Sequence, residues 1–152
     1  MKIITTNRKA FHDYVIDSTI ETGIVLAGDE VKSLRAGLVN LSGSFATIHG
    51  GELYITNCYI GPYSHAYMKA AEEYTRRSRK LLVHRAELVK LAGELSRRGI
   101  TLVPLKVYLN EKGRIKVELG RARHKKMAER KEELRERDIE REMRREGKQQ
   151  HG

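Results

Sequence analysis

The chain has 152 residues and a mass of 17.4 kDa, enough for one domain with an appendage and too little for two comfortable domains. Its 30 Lys and Arg against 20 Asp and Glu give a net charge of +10 and a pI near 9.8, so a polyanion is the leading partner class. A single cysteine, Cys58, excludes an intrachain disulfide framework, and neither an apolar leader nor an apolar run of about 18 residues is visible. A soluble cytoplasmic protein with no membrane partner is expected.

Tyr14 to Leu26 is rich in β-branched residues and predicts a strand. Asp29 is the expected N-cap of a helix over Glu30 to Ala36, with Val31 and Leu34 one turn apart and Gly37 at the stop. Ser44 to Ile48 and Glu52 to Ile60 flank Gly50-Gly51, a pair suited to a tight hairpin turn. Arg76, Arg77, Arg79, Lys80 and Arg85 then occur with no acid from Tyr74 to Ala86. That stretch reads as a loop of uncompensated cations whose arginine forks suit phosphate oxygens.

A second helix is expected over Ala86 to Arg98, with Leu88, Leu91, Ala92 and Leu95 on one stripe and Gly99 at its stop. In Ile100 to Asn110, Val103, Leu105, Val107 and Leu109 alternate with Pro104, Lys106 and Tyr108. After Glu111-Lys112-Gly113 the alternation resumes, with Ile115, Val117 and Leu119 against Lys116 and Glu118. This hairpin should turn its apolar set inward and carry Lys106, Tyr108 and Lys116 on one outward face.

Beyond Gly120 the composition changes. Residues 121 to 148 hold 12 basic and 8 acidic groups, and Met127, Leu134, Ile139 and Met143 are the only apolar side chains there larger than alanine. Such a segment cannot bury a core of its own. Acid-first pairs such as Glu133 with Arg137 and Glu140 with Arg144 give it a marginal helical tendency. The first part, with Arg121, Arg123, Lys125, Lys126, Arg130 and Lys131 against Glu129 alone, is strongly basic, as suits a segment threading an RNA-walled channel. The fold expected is mainly β: a small closed antiparallel barrel of the OB type over residues 1–120, with two to three short helices. A charged tail over 121–152 should be disordered when free or helical when bound.

Catalysis finds little support. The six histidines are scattered, none has metal-ligand spacing with another or with Cys58, and no Gly-rich phosphate loop or nucleophile elbow occurs. Neither a metal nor a cofactor is expected. A nuclease would need clustered carboxylates, and outside the tail only Asp29-Glu30 and Glu72-Glu73 are adjacent. A scaffold with a coiled-coil tail would need an apolar seam that the tail lacks.

Several segments carry a resemblance. Glu30-Val31-Lys32-Ser33-Leu34-Arg35-Ala36-Gly37, followed by Gly43-Ser44-Phe45, is similar to a motif of the SsrA-binding protein family, also called small protein B. Asn7-Arg8-Lys9-Ala10, His12-Asp13-Tyr14, Gly51-Glu52-Leu53-Tyr54, Ile60-Gly61-Pro62-Tyr63, Arg79-Lys80-Leu81-Leu82 and Thr101-Leu102-Val103-Pro104-Leu105-Lys106 resemble its other motifs in the same order. The resemblance covers about residues 7–126 and implies a monomeric, non-enzymatic OB-type protein. Such a protein binds the tRNA-like domain of tmRNA and meets elongation factor Tu through that RNA. It accompanies both to stalled ribosomes, where its tail occupies the decoding centre and the empty mRNA channel. The runner-up is a generic OB-fold RNA- or ribosome-binding protein.

The family's RNA-contact positions fall on Asn7, Glu21, Leu82 and Lys116. The matching motifs and basic groups add His12, Tyr14, Lys32, Arg35, Arg77, Arg79, Lys80 and Lys106. Arg123, His124, Lys125, Lys126, Arg130 and Lys131 are the expected ribosome-contacting tail residues. Glu21 suits recognition, because a carboxylate accepts hydrogen bonds from a guanine edge or a 2′-hydroxyl. The chain departs from the family at two places. Ala128 stands where the family has His or Tyr, so the tail lacks the ring that stacks in the decoding centre unless His124, four residues earlier, replaces it. Tyr74-Thr75 stands in place of the Asp-Pro before the basic loop.

Overall fold

The computed structural model describes residues 1–63, 72–96, 99–125 and 127–150, with 72, 127–132 and 146–150 described by their backbone alone. Nine strands and five helices are present among them: β1 (Lys2–Thr6), α1 (Arg8–Asp13), β2 (Tyr14–Ile24), α2 (Gly28–Arg35), β3 (Val39–Asn40), β4 (Phe45–His49), β5 (Glu52–Thr56), β6 (Tyr59–Ile60), α3 (Glu72–Thr75), β7 (Arg79–Leu82), α4 (Arg85–Leu95), β8 (Thr101–Leu109), β9 (Ile115–His124) and α5 (Met127–Gln150). The molecule is mainly β, as expected. Seven strands join in the order β1-β8-β4-β5-β7-β2-β9, with β9 also pairing β8, and β3 pairs β6 separately.

Two long antiparallel pairings dominate this sheet. β2 runs antiparallel to β9 from Tyr14↔His124 to Gly23↔Lys116, and β8 runs antiparallel to β9 from Thr101↔Ala122 to Leu109↔Ile115. β8 meets β4 at Ala46↔Leu102 and β1 from Lys2↔Leu109 to Thr6↔Lys106. The β4–β5 turn uses both glycines with positive φ, Gly50 at 59° and Gly51 at 75°, the conformation that suits the twist of a two-residue hairpin.

The core holds Leu34 of α2 and Leu91 of α4 against Leu53, Ile55, Leu81, Leu102, Val107, Val117 and Leu119, all nearly inaccessible. A smaller cluster joins Ala10 of α1 to Val103, Leu105 and Ala122. This second cluster corrects the expected alternation in β8. A register shift between Pro104 and Lys106 inserts an extra residue and reverses the parity of the strand. Leu102 and Val107 therefore join the main core, while Val103 and Leu105 join the cluster under α1.

Other expectations change where a distant partner intervenes. The strand expected over Glu52 to Ile60 breaks at Asn57, whose φ is 63°, and its end leaves β4 to pair β3 as β6. Helix α2 begins at Gly28 with Ala27 as N-cap; Asp29 lies inside the helix and accepts from the Tyr74 hydroxyl at 3.1 Å. Residues 79–82 of the basic stretch form β7, held between β5 and β2. Strand β9 continues four residues past Gly120, so Arg121, Arg123 and His124 belong to the sheet. Arg121 also binds Glu87 at 2.8 Å and Glu94, which ties α4 to β9. The tail from Met127 is one 24-residue helix. No helix among the described residues is long and apolar enough to cross a membrane.

Candidate RNA interface

Gly23 organises the most suggestive surface. It lies opposite Leu82 of β7 on one side and Lys116 of β9 on the other. Cross-strand partners share a face, and so do residues two apart along a strand. Glu21, Leu82, Lys106, Tyr108, Lys116 and Glu118 therefore share one face of β2, β7, β8 and β9. With no side chain at Gly23, an open groove of about 590 Å³ forms, lined by Thr19, Glu21, Leu82, His84, Glu87 and Lys116 among others. A Cβ at Gly23 would stand 3.3 Å from that of Leu82, so a larger residue would crowd the groove. Leu82 is 50% exposed, an apolar side chain that the core does not claim.

An adjoining groove shares Gly23, Leu82 and Lys116 and adds Arg35 and Arg114. Arg114 is not among the contact residues expected from the sequence. It lies in the turn just before β9, and its signal was its place between Lys112 and Lys116 in a locally basic stretch. Three expected contact positions, Glu21, Leu82 and Lys116, thus meet from three strands, with Arg35 beside them. Glu21 accepts a hydrogen bond from the Tyr108 hydroxyl.

The fourth position lies elsewhere, with its side chain engaged inside the protein. Asn7 is 4% exposed; its Oδ1 accepts from the Ala10 amide at 3.2 Å, and its Nδ2 donates to the Pro104 carbonyl at 2.8 Å and to Leu41 at 3.4 Å. It caps α1 and clamps that helix to β8. It lines a smaller cavity with Lys9, Asp13, Tyr14 and Phe45, away from Glu21. His12 is exposed and faces the Asp13 carboxylate at 3.0 Å.

The basic loop is also corrected. Its compensating acid is absent from the local sequence and comes from α2. Glu30, 2% exposed, accepts from the Ala27 amide at 2.9 Å, from Arg77, and from Arg79 Nε at 2.5 Å. Arg79, 1% exposed, spends its remaining donors on carbonyls of Cys58 at 2.8 Å, Thr75 at 3.1 Å, Arg77 at 3.1 Å and Tyr74 at 3.4 Å. It is an internal strut with no donor left for a phosphate. Lys80 pairs with Glu52 at 3.3 Å on the surface, a contact worth little in water. Arg76 remains exposed over the Tyr59 ring, and Lys32 lies 5.8 Å from the Tyr63 ring centroid.

On the hairpin face, Lys106 pairs with Glu118 at 3.4 Å. Tyr108 is buried at 4% exposure, so it offers no open ring for stacking. Burial and the hydrogen bond to Glu21 both push its phenol above the ordinary tyrosine range. Cys58 is a packed thiol, raised to about 11 chiefly by burial. Among the described residues no group of three His, Cys, Asp or Glu side chains is placed to hold a metal ion.

At the start of the tail, His124 packs its ring on Tyr14, with centroids 4.3 Å apart. Lys125 is drawn inward, its amide donating to the Asp13 carbonyl at 3.0 Å and its Nζ to Phe11 O at 3.1 Å and Glu133 Oε2 at 2.5 Å. That ammonium holds the Glu133 carboxyl below its ordinary range. Arg123 is exposed; Lys126 lies outside the described residues, and the side chains of Arg130 and Lys131 are likewise not described.

Comparison with known proteins places the chain in a family. The model of the SmpB protein family matches residues 4–149. The SsrA-binding protein of Syntrophotalea carbinolica is 50% identical over 143 residues, spanning 94% of this chain and 93% of its own. That of Coprothermobacter proteolyticus is 46% identical over 151 residues, spanning 97% and 98%. A solved chain described as "tmRNA-SmpB: a journey to the center of the bacterial ribosome" superposes with a TM-score of 0.66 at 53% identity, covering 81% of this chain and 85% of that one. A family match over nearly the whole length, joined to relatives about half identical from end to end, means that the chain belongs to the SmpB family of SsrA-binding proteins.

Proposed function

We propose that this chain is the tmRNA-binding protein of trans-translation. It grips the tRNA-like domain of tmRNA and delivers it, with elongation factor Tu attached to the same RNA, to ribosomes stalled in the cytoplasm. The observation that carries this reading is the meeting of Glu21, Leu82 and Lys116 from three strands around Gly23, with Arg35 and Arg114 alongside. A carboxylate acceptor, an exposed apolar side chain and flanking cations are what a folded RNA requires: one group to read a base edge or 2′-hydroxyl, one to pack on it, and several to meet phosphates. The protein acts by binding and breaks no bond itself.

We read the sheet as a closed OB-type barrel, since β8 pairs both β9 and β4 and the intervening strands are paired in turn. The body then ends with β9 at His124 and the tail begins at Lys125, four residues later than charge alone places the change. Arg123, Lys126, Arg130 and Lys131 are the cations assigned to the ribosome. Lys125 is assigned to hold the root of α5, and His124 to the Tyr14 ring, so His124 does not stand in for the aromatic that the family carries at Ala128.

The test is a binding comparison of tmRNA, its isolated tRNA-like domain and an ordinary tRNA across a salt series. The first two should bind alike and well above the third, with log K falling by about 0.7–0.9 per phosphate neutralised for each tenfold rise in salt. Equal affinity for all three would favour a generic RNA-binding barrel and remove this reading.

A further inference from the structure

The groove has a support that the RNA would never touch. Tyr108 belongs to β8, yet its hydroxyl donates to Glu21 Oε2 of β2, 87 residues away in sequence, with β9 running between the two strands. In the cross-strand rows, Tyr108 aligns with Lys116 and Gly23, while Glu21 aligns with Glu118 and Lys106. The contact is therefore diagonal across β9, and Gly23 leaves the β2 position of the Tyr108 row without a side chain. The ring is buried and the carboxylate is exposed, so the fixed member of the pair is the tyrosine. Glu118, the cross-strand neighbour of Glu21, is already engaged by Lys106 at 3.4 Å. Among the described residues Oε1 of Glu21 accepts no protein hydrogen bond.

We propose that Tyr108 is a positioning residue for RNA recognition: by holding Oε2 of Glu21 it fixes the carboxylate in one rotamer and presents Oε1 to a donor on the RNA. This deepens the reading of Glu21 as a recognition residue and rests on it. A free glutamate on a strand samples many rotamers and must lose that freedom when it binds. Holding it beforehand removes that loss from the recognition step only. The tyrosine contributes no charge, so it leaves the attraction between cations and phosphates unchanged. A neighbouring like charge at Glu118 would otherwise push Glu21 toward other rotamers.

The experiment measures affinity of the full chain for the tRNA-like domain and for an ordinary tRNA, at several salt concentrations, in Glu21→Ala, Tyr108→Phe and the double variant. Melting curves are recorded for each. Tyr108→Phe keeps the buried ring and removes one oxygen. It should lower the discrimination ratio about three- to tenfold with the salt slope unchanged. In the Glu21→Ala background, which itself loses discrimination, the same change should do nothing more. A merely structural role for Tyr108 would instead give additive losses in the double variant and would overturn the inference. Loss in Glu21→Ala with full discrimination in Tyr108→Phe would overturn it too, while leaving the reading of Glu21 standing. No loss in Glu21→Ala would remove that reading, and the inference with it. Glu21→Asp probes the contact without touching the core: the charge stays but the carboxylate falls short of the phenol. Discrimination should drop as in Tyr108→Phe, and full discrimination would count against the inference.

Discussion

Replacing Arg79 by alanine separates two roles that an arginine in a basic stretch can have. A phosphate contact would cost RNA affinity, lower the salt slope by somewhat under one unit and leave stability alone. The geometry calls for the reverse. Arg79 is 1% exposed and joins the 2% exposed Glu30 at 2.5 Å, while its other nitrogens reach four backbone carbonyls. Removing one member of a buried ion pair costs about 3–5 kcal/mol, because the survivor keeps its desolvation penalty. Arg77 remains beside Glu30 and offsets part of that, whereas the orphaned carbonyls add to it, so about 3 kcal/mol is a fair expectation. For a chain of this size that is a fall in melting temperature of roughly 6–12 °C. Arg79→Lys should recover little, since a single ammonium cannot match a fork that serves the carboxylate and the carbonyls together. Thermal unfolding of the full chain is the assay, with a salt series of RNA binding beside it. An Arg79→Ala protein that melts like the parent yet binds RNA with a reduced salt slope would refute the reasoning.

Gly120→Ala should destabilise by about 1–3 kcal/mol in urea unfolding, since its Cβ would stand 2.9 Å from Leu105 Cδ1 and 3.1 Å from Ile16 Cγ2. Cys58 should stay unreactive toward a thiol reagent at pH 8 in the folded protein and react at once on unfolding, because a buried thiol raised to about 11 supplies almost no thiolate. The Lys125–Glu133 contact involves a carboxyl held below its ordinary 4.5, so its contribution is complete above about pH 4.5 and disappears as the pH falls through the lowered value. Carbon NMR of Glu133, followed from pH 6 to pH 2, should show that low midpoint, and Lys125→Ala should return it to the ordinary range. Ala128→His should raise tagging of stalled ribosomes without changing tmRNA affinity, and His124→Ala should change tagging little; a large loss from His124→Ala would mean that its ring leaves Tyr14 to act in the ribosome.

What was legible in the sequence was what neighbours along the chain decide. Two glycines between β-rich runs specify a tight hairpin, and alternation in 101–119 specifies another, since the pleat repeats every two residues. The shared outward face of Lys106, Tyr108 and Lys116 followed from that period, and ordered motifs along most of the chain identified the family. The tertiary structure alone decided which polar groups are free. Arg79 looked uncompensated because its acid lies 49 residues away on α2, and the cap and clamp made by Asn7 were invisible because its carbonyl partner at Pro104 lies 97 residues away. Tyr108 shares the outward face yet is buried, with its hydroxyl directed to a strand on the far side of β9. Strand β9 runs past Gly120 to His124 because pairing with β2, not charge density, sets where it stops. A net charge or a strand period is additive along the chain and can be counted from composition and spacing. Compensation and burial depend on distances in space, which the chain acquires only when strands far apart in sequence are brought into register.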